Sequence, residues 1–370
     1  MIKLVELNYH CHTEYTRPEQ VIAKHALSSG FIHFIKDKVE LVLVKHLNYA
    51  GEARIENIHY RFFRSRNKFC YIPFKTHRFI KNERPDVILV QGFVFVLQVM
   101  FLRWKLGKDC VILVQHHGEK PFTGLKGFLQ RRADACIDGY LFTSLDNATE
   151  WMNKKIITSR DKCYEVLSAS SGFSLRDKAV CKTKLNMAGE NNFLWVGRLN
   201  SNKDPITVIK AFEKYLDVNR LARLYMIYQT EELVTDIKTH IAGSEVLKNA
   251  VYLIGNIENR ELEYWYNAAD LYISGSHSEG SGYALVEAMA CGCIPVVTAI
   301  PSFKKITCEG KYGILFEPGN ADDLYNKLID TNTLDKETYS RMVHAHAEEN
   351  LSYKAVADQI YQLSLSLITK

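Results

Sequence analysis

Short apolar, β-branched runs alternate along this chain with longer segments of helical character, and the alternation begins twice. In the first half the runs fall at residues 2–7, 40–44, 58–63, 87–90, 111–115, 140–142 and 164–167. In the second half they fall at 192–196, 224–227, 251–254, 271–273, 294–297 and 314–316. Helical segments fill the gaps. One opens at Arg17-Pro18-Glu19, where proline suits a first turn and the acid suits the helix dipole. Others are expected over 205–216, 231–242, 259–269, 283–291 and 321–329, with two more over 336–370 and no strand between them. Strand alternating with helix predicts a parallel sheet covered by helices on both faces. Residues 168–190 are polar and broken by Ser and Gly, so they read as the linker between two such units. The expected organisation is a first domain over 1–185, a second over 186–350, and a final helix over 351–370 returning to the first. Two α/β domains imply a cleft, and ligands of open parallel sheets bind beyond the carboxyl ends of strands.

Composition narrows the setting. Lys3 and Glu6 interrupt the first apolar run, which therefore reads as a strand and not a signal peptide. The run from 87 to 102 is broken by Gln91, Gly92 and Gln98, short of a membrane span. Nine cysteines without a CxxC pair read as reduced thiols of a cytoplasmic protein, and Cys291-Gly-Cys293 lacks partner ligands for a metal. Charge is uneven. Residues 1–185 carry 30 Lys and Arg against 18 Asp and Glu, and residues 186–370 carry 17 against 24. The excess concentrates between Arg54 and Arg132, including Arg61, Arg64, Arg66, Lys68, Lys75, Arg78, Lys81 and Arg84. Phe62, Phe63, Phe69, Tyr71 and Phe74 are interleaved there. Such a face suits peripheral contact with an anionic inner-leaflet membrane surface. No nucleic-acid-binding motif accompanies it, so no nucleic-acid partner is expected.

The densest signal is the run SGSHSEGSGYALVEAMACGCIPVVT, residues 274–298. A strand ends in a Gly/Ser-rich loop, and a helix opens near Gly282. Small residues there leave backbone N–H groups at a helix start, an arrangement suited to phosphate. Glu279 on the loop and Glu287 in the helix add two carboxylates. Carboxylates beside a phosphate are tolerable where they accept hydrogen bonds from hydroxyls, and a sugar nucleotide presents hydroxyls on its sugar and its ribose.

Glu279-Gly280-Ser281-Gly282-Tyr283-Ala284-Leu285-Val286-Glu287, continuing through Gly292 to Val297, resembles the E-x7-E region of retaining GT-B glycosyltransferases of family 4, the glycosyltransferase group 1. Phe193-Leu194-Trp195-Val196-Gly197-Arg198, with Lys203 five residues on, resembles that family's strand ending in Gly-Arg. The resemblance implies that Arg198 and Lys203 bind the donor diphosphate, that Glu279 faces the transferred sugar, and that Glu287 faces the ribose. It implies further that Gly197 and the backbone of Gly280, Ser281, Gly282 and Tyr283 line the phosphate. Two cations aimed at a leaving diphosphate stabilise its growing charge without a metal, and no D-x-D motif is present. Asp204 stands where many relatives have Gly. Val251 to Ile257 is similar to the strand and turn that meet the base, with Gly255 permitting the turn and Ile257 packing on the ring. In the first half, a strand over 111–115 runs into His116-His117-Gly118-Glu119. By the resemblance, His117, with His116 second, faces the donor sugar. The loop Asn8 to Tyr15 departs from the Gly-Gly loop of many relatives. The likeness is specific over 190–320, general over 80–170 and faint over 1–80.

The implied protein is an α/β GT-B enzyme with two Rossmann-like domains facing a cleft. It takes a UDP- or GDP-sugar, requires no metal or other cofactor, and transfers to a glycan or lipid-linked acceptor with retention, in bacterial polysaccharide synthesis. Two rivals remain: a GT-B-fold sugar-nucleotide epimerase, and a degenerate protein that binds nucleotide sugar without turnover.

Overall fold

The computed structural model describes residues 1–25, 30–64 and 72–369. Arg66, Lys68, Phe69 and Tyr71 of the basic segment lie outside the described residues. The chain divides into two compact units. Unit 1 comprises Met1–Ser170 and Tyr353–Lys370, and unit 2 comprises Ser171–Ser352. The division falls earlier than the 185/186 expected from composition. The reason is local. Asp177 caps a helix, Lys178–Lys184, by accepting from the Val180 N–H, and that helix packs on helix Asn259–Ala268 of unit 2. The final helix, Tyr353–Ile368, buries Val356, Ala357 and Ile360 and belongs to unit 1.

In unit 1 the strands are β1 (Lys3–His12), β2 (Glu40–Leu47), β3 (Gly51–Ile55), β4 (Ile58–Arg64), β5 (Val87–Gln91), β6 (Val111–Gln115), β7 (Gly139–Phe142) and β8 (Cys163–Glu165). They form one sheet in the order β3-β4-β2-β1-β5-β6-β7-β8. Every pairing is parallel except β3 with β4. β3 departs from the all-parallel expectation. Ile55 pairs with Ile58 across Glu56 and Asn57, both with positive φ (49° and 65°), the geometry of a two-residue hairpin turn. Glu-Asn is not the usual sequence for that turn, so the hairpin was not expected. The strand's exposed, charged residues suit a sheet edge. β1 also runs beyond its expected end at residue 7. After a register shift it pairs Cys11 and His12 with β2, and Tyr9 drops into the core, its hydroxyl 2.8 Å from His77 Nε2.

The central strands are apolar on both faces, as a parallel sheet sandwiched by helices requires. Val5, Leu7, Val42, Val44, Ile88, Val90, Ile112 and Val114 pack with Trp151 in one core. The charges inside β1 are paired: Lys45 Nζ donates to Glu6 Oε2 at 2.7 Å, and Lys3 pairs with Glu40 and Glu83.

Unit 2 carries β9 (Asn192–Gly197), β10 (Arg223–Tyr228), β11 (Val251–Gly255), β12 (Leu271–Ser274), β13 (Ile294–Thr298) and β14 (Ile314–Phe316). The order is β11-β10-β9-β12-β13-β14, and all pairings are parallel. Phe193, Trp195, Leu224, Met226, Leu271 and Ile273 meet Phe212 and Tyr215 of helix Pro205–Tyr215 in its core. In both units the first strand lies inside the sheet, and the chain winds away from it in both directions. That places a topological switch between β1 and β5 in unit 1 and between β9 and β12 in unit 2. Crevices at the carboxyl ends of such strand pairs are where open α/β sheets bind ligands. No helix among the described residues is long and apolar enough to cross a membrane.

Candidate functional site

The loops following β9 and β12 flank the switch point of unit 2, and they are knitted together. The His277 N–H donates to the Asn202 carbonyl at 2.8 Å, and Asn202 Nδ2 donates to the Ser278 carbonyl at 3.0 Å. Gly275 permits the close approach, since a Cβ there would lie 2.8 Å from the Asp204 carbonyl oxygen. Asp204 has φ 41° and ψ 58°, the left-handed conformation that glycine adopts most readily. Asp tolerates that conformation better than most residues, and its side chain gives the position a second use. It caps helix Pro205–Tyr215, accepting from Thr207 N at 3.2 Å and Thr207 Oγ1 at 2.7 Å. His277 Nε2 lies 3.1 Å from Asp204 Oδ2.

Three of the charged residues singled out from the sequence sit on this loop pair. Arg198 directly follows β9; it is exposed and has no side-chain hydrogen bond or ion pair among the described residues. Lys203 Nζ donates to Glu279 Oε1, so the loop cation is neutralised by the loop carboxylate. Gly197 ends β9 with its Cα facing the Trp195 ring and the Lys203 stem. Ser302 Oγ donates to the Glu279 carbonyl and fixes the loop from helix Pro301–Ile306. Gly280 and Ser281 lead to Gly282 (φ 70°, ψ 35°), which opens helix Tyr283–Ala290 without a side-chain cap. A Cβ at Gly282 would also meet Ile306 Cδ1 at 2.8 Å.

Glu287 lies within that helix, apart from the Lys203–Glu279 pair. Tyr266 Oη donates to Glu287 Oε2 at 3.2 Å, and Asn259 supplies a second hydrogen bond. The residue is partly open to solvent, but its carboxyl group is enclosed. Burial lifts it from 4.5 to about 7, against the lowering effect of the Tyr266 and Asn259 hydrogen bonds. Asn259 Oδ1 and Thr230 Oγ1 are buried and without a partner among the described residues. Both lie beyond the carboxyl ends of strands, Thr230 after β10 and Asn259 after β11. Gly255 ends β11 with φ 83°, and Ile257 follows it half-buried. Tyr266, Asn259 and Thr230 were not found from sequence. No local motif marks them: Asn259 and Tyr266 lie on one helix that follows β11, and Thr230 follows β10, all distant in sequence from Glu287.

The histidine pair of unit 1 is sorted by burial. His116 is 5% exposed and packs on Phe142 and Trp151. Its Nε2 lies 2.9 Å from the Glu119 carbonyl, and its Nδ1 accepts from the Gly118 N–H at 3.3 Å. Both ring nitrogens are used as a neutral imidazole uses them, and burial lowers the ring's pKa. His117 is exposed, with Nε2 2.7 Å from Gln91 Oε1. Glu119, unmarked by the sequence, ties the loops after β5 and β6 by accepting from the Phe93 and His117 N–H groups at 3.3 and 2.7 Å. Among the described residues, the aromatics of the basic segment also divide: Phe62 is core, Phe63 is half-buried and Phe74 is exposed.

Comparison with known proteins meets this geometry at the same place. The profile of the family described as glycosyl transferases group 1 matches residues 180–348, just under half of the chain. Sulfoquinovosyl transferase SQD2 of Arabidopsis thaliana is 37% identical over 103 residues, covering 27% of this chain and 20% of that protein. Alpha-monoglucosyldiacylglycerol synthase of Streptococcus pneumoniae is 26% identical over 164 residues, covering 44% of this chain and 37% of that protein. The matched stretches therefore span far less than two thirds of those relatives. The structure of Anabaena HepE in complex with UDP aligns over 99% of this chain and all of its own, with a TM-score of 0.71 at 15% identity. That likeness is one of fold, the GT-B architecture of two parallel-sheet units. The resemblance to group 1 glycosyltransferases read from the E-x7-E region thus stands on the profile, the relatives and the fold together.

Proposed function

We propose that this chain is a glycosyltransferase that moves a sugar from a UDP- or GDP-sugar to a glycan or lipid-linked acceptor. In this reading it retains the anomeric configuration and needs no metal, as in family 4. The observation that carries it is the loop pair at the β9/β12 switch. Arg198 and Lys203, the two cations expected from sequence to hold a diphosphate, share that loop pair with Glu279. Arg198 is free to take a phosphate oxygen, and a diphosphate competes with Glu279 for Lys203. Cations placed there favour the charge that grows on the departing diphosphate. The amides around Ser281–Tyr283 add the positive end of a helix dipole.

Glu279, released from Lys203, accepts from hydroxyls of the transferred sugar. Glu287 takes the ribose, and the unsatisfied Asn259 and Thr230 oxygens suit hydroxyl or base N–H donors at the same end of the sheet. Gly255 and Ile257 meet the base. His117 supplies the sugar-side contact from unit 1, and His116 supports the loop beneath it. A cytoplasmic enzyme working at the membrane on bacterial cell-surface glycans follows from this reading. The UDP bound to HepE and the diacylglycerol in the name of the pneumococcal relative agree with such substrates.

The test is product analysis with a panel of UDP- and GDP-sugars, with and without lipid-linked and oligosaccharide acceptors. Nucleoside diphosphate released together with an α-linked product from an α-linked donor supports the proposal. An epimerised donor formed without acceptor points to the isomerase. Tight donor binding with no turnover on any acceptor points to the binding protein.

A further inference from the structure

In unit 1, helix Val96–Leu106 packs against Phe74–Glu83 and against Gly124–Ala133. Their inner faces bury Ile80, Val99 and Leu102. Their outer faces are unusual for helices in water. Trp104 is 74% exposed, Leu125 75% and Phe74 66%. Leu97, Phe101 and Trp104 are spaced four and three apart, so they form a line down one face of their helix. Phe101 joins Trp104 to Phe74 across the helix pair, with ring centroids 5.5 and 5.6 Å apart. Leu125 and Phe128 continue the apolar character on the third helix. Isolated exposed apolar residues are ordinary, but a contiguous set marks a contact surface.

The charge on these three helices is mostly basic, and the acidic residue among them, Glu83, is held in a pair with Lys3. Neither Val96–Leu106 nor Gly124–Ala133 contains an acidic residue. Arg132 lies over the Phe128 ring at 5.3 Å and Lys105 near the Trp104 ring at 5.9 Å. A cavity of about 400 Å³ opens at the start of helix Gly124–Ala133, lined in part by Gly124, Arg131, Lys154 and Lys155. Lys154 is paired with Glu150, whereas Arg131 and Lys155 have no acidic partner among the described residues. The chemistry of this face selects its partner. A second copy would set these cations against themselves. A nucleic acid would use the cations but leave Trp104, Leu125 and Phe74 in water. An anionic bilayer takes both, with aromatic rings at headgroup level and Lys and Arg on lipid phosphates.

We propose that this three-helix face seats unit 1 on an anionic phospholipid bilayer, with a headgroup phosphate in the cavity between Arg131 and Lys155. The inference deepens the proposed action at a membrane, but it stands on residues separate from the donor site. Of the four tryptophans, Trp151 and Trp195 are 1% exposed and Trp265 is 9% exposed, so Trp104 reports the contact. The full chain is mixed with phosphatidylcholine vesicles with and without phosphatidylglycerol. The expected result is co-sedimentation with the anionic vesicles alone, weakening as salt rises, with a blue shift of indole emission that Trp104→Phe abolishes. Arg131→Gln and Lys155→Gln should each weaken partition about fivefold, equivalent to about 1 kcal/mol per cation. Trp104→Ser with Leu125→Ser should weaken it at every salt concentration while UDP or GDP binding is unchanged. No binding to anionic vesicles at low salt would overturn the proposal. So would binding that leaves Trp104 emission unmoved or that ignores the Arg131 and Lys155 substitutions. Nucleotide binding is read separately, so failure of the donor reading leaves the vesicle result standing, and the reverse.

Discussion

Two residues show how the local chemistry of unit 2 is tuned. Asp204 holds a left-handed backbone and caps the helix that follows it. Asp204→Ala loses the cap, worth about 1 kcal/mol, and forces a Cβ without compensation into that conformation, worth about 1 kcal/mol more. Asp204→Gly keeps the conformation and loses only a few tenths of a kcal/mol at the cap. Denaturant unfolding should therefore rank the native chain and the Gly variant close together, with Ala lower by about 2 kcal/mol; equal Ala and Gly variants would contradict the backbone strain inferred at Asp204. Glu287 is tuned in the opposite sense, against stability. Its folded value of about 7 exceeds the ordinary 4.5, so the native state holds a proton that the unfolded chain releases. That contribution is complete below about pH 4.5, declines as pH rises toward 7, and is gone above it, a span of up to about 3 kcal/mol. Glu287→Gln removes the dependence. The variant should unfold at a higher denaturant concentration than the native chain at pH 8, the two should converge near pH 4.5, and the variant should bind nucleotide more weakly. A variant less stable at pH 8 would mean that the carboxylate is well accommodated.

At the scale of elements, the two loops at the β9/β12 switch act as one piece because Gly275 lets them touch. Gly275→Ala would press a methyl group to 2.8 Å from the Asp204 carbonyl oxygen. The expected outcome is a loss of about 1–3 kcal/mol of stability and weaker diphosphate binding, measured by chemical unfolding and by titration. Unchanged binding would separate the loop contact from the donor site. The same scale shows what a linear reading captures. Glu279, Gly282 and Glu287 were legible because one strand, loop and helix hold them within a short stretch, where spacing reports geometry. Asn259 and Tyr266 were not, since they reach Glu287 from a helix that follows a different strand. The β3–β4 hairpin escaped because its turn is Glu56-Asn57 and not a glycine-bearing pair. Residues 8–12 escaped because Asn8, His10, Cys11 and His12 around Tyr9 break the apolar run that ends at Leu7 and looked like a loop.

Over the whole molecule, the alternation of strand and helix was enough to give two parallel-sheet units, and the contact pattern added where they divide. Each unit winds outward from its first strand, so each has one switch point. In unit 2 the residues proposed to hold the donor, Arg198, Lys203 and Glu279, lie beyond β9 and β12, the strands that flank it. In unit 1 Gln91 ends β5, and His117 and Glu119 follow β6, one strand to the side of the β1/β5 switch. The uneven charge, basic over 1–185 and acidic over 186–370, gains a role only in the proposed bilayer contact, where Lys105 and Arg132 lie by the Trp104 and Phe128 rings. The central claim is that the unit 2 switch point binds a nucleoside diphosphate through Arg198 and Lys203. It is tested most directly by calorimetric titration of the full chain with UDP and GDP, beside Arg198→Ala. The predicted result is saturable one-site binding of one of the two, weakened by Arg198→Ala at least tenfold, a loss of about 1.4 kcal/mol or more. A folded native chain that binds neither diphosphate, or an Arg198→Ala variant that binds as tightly as the native chain, would contradict it.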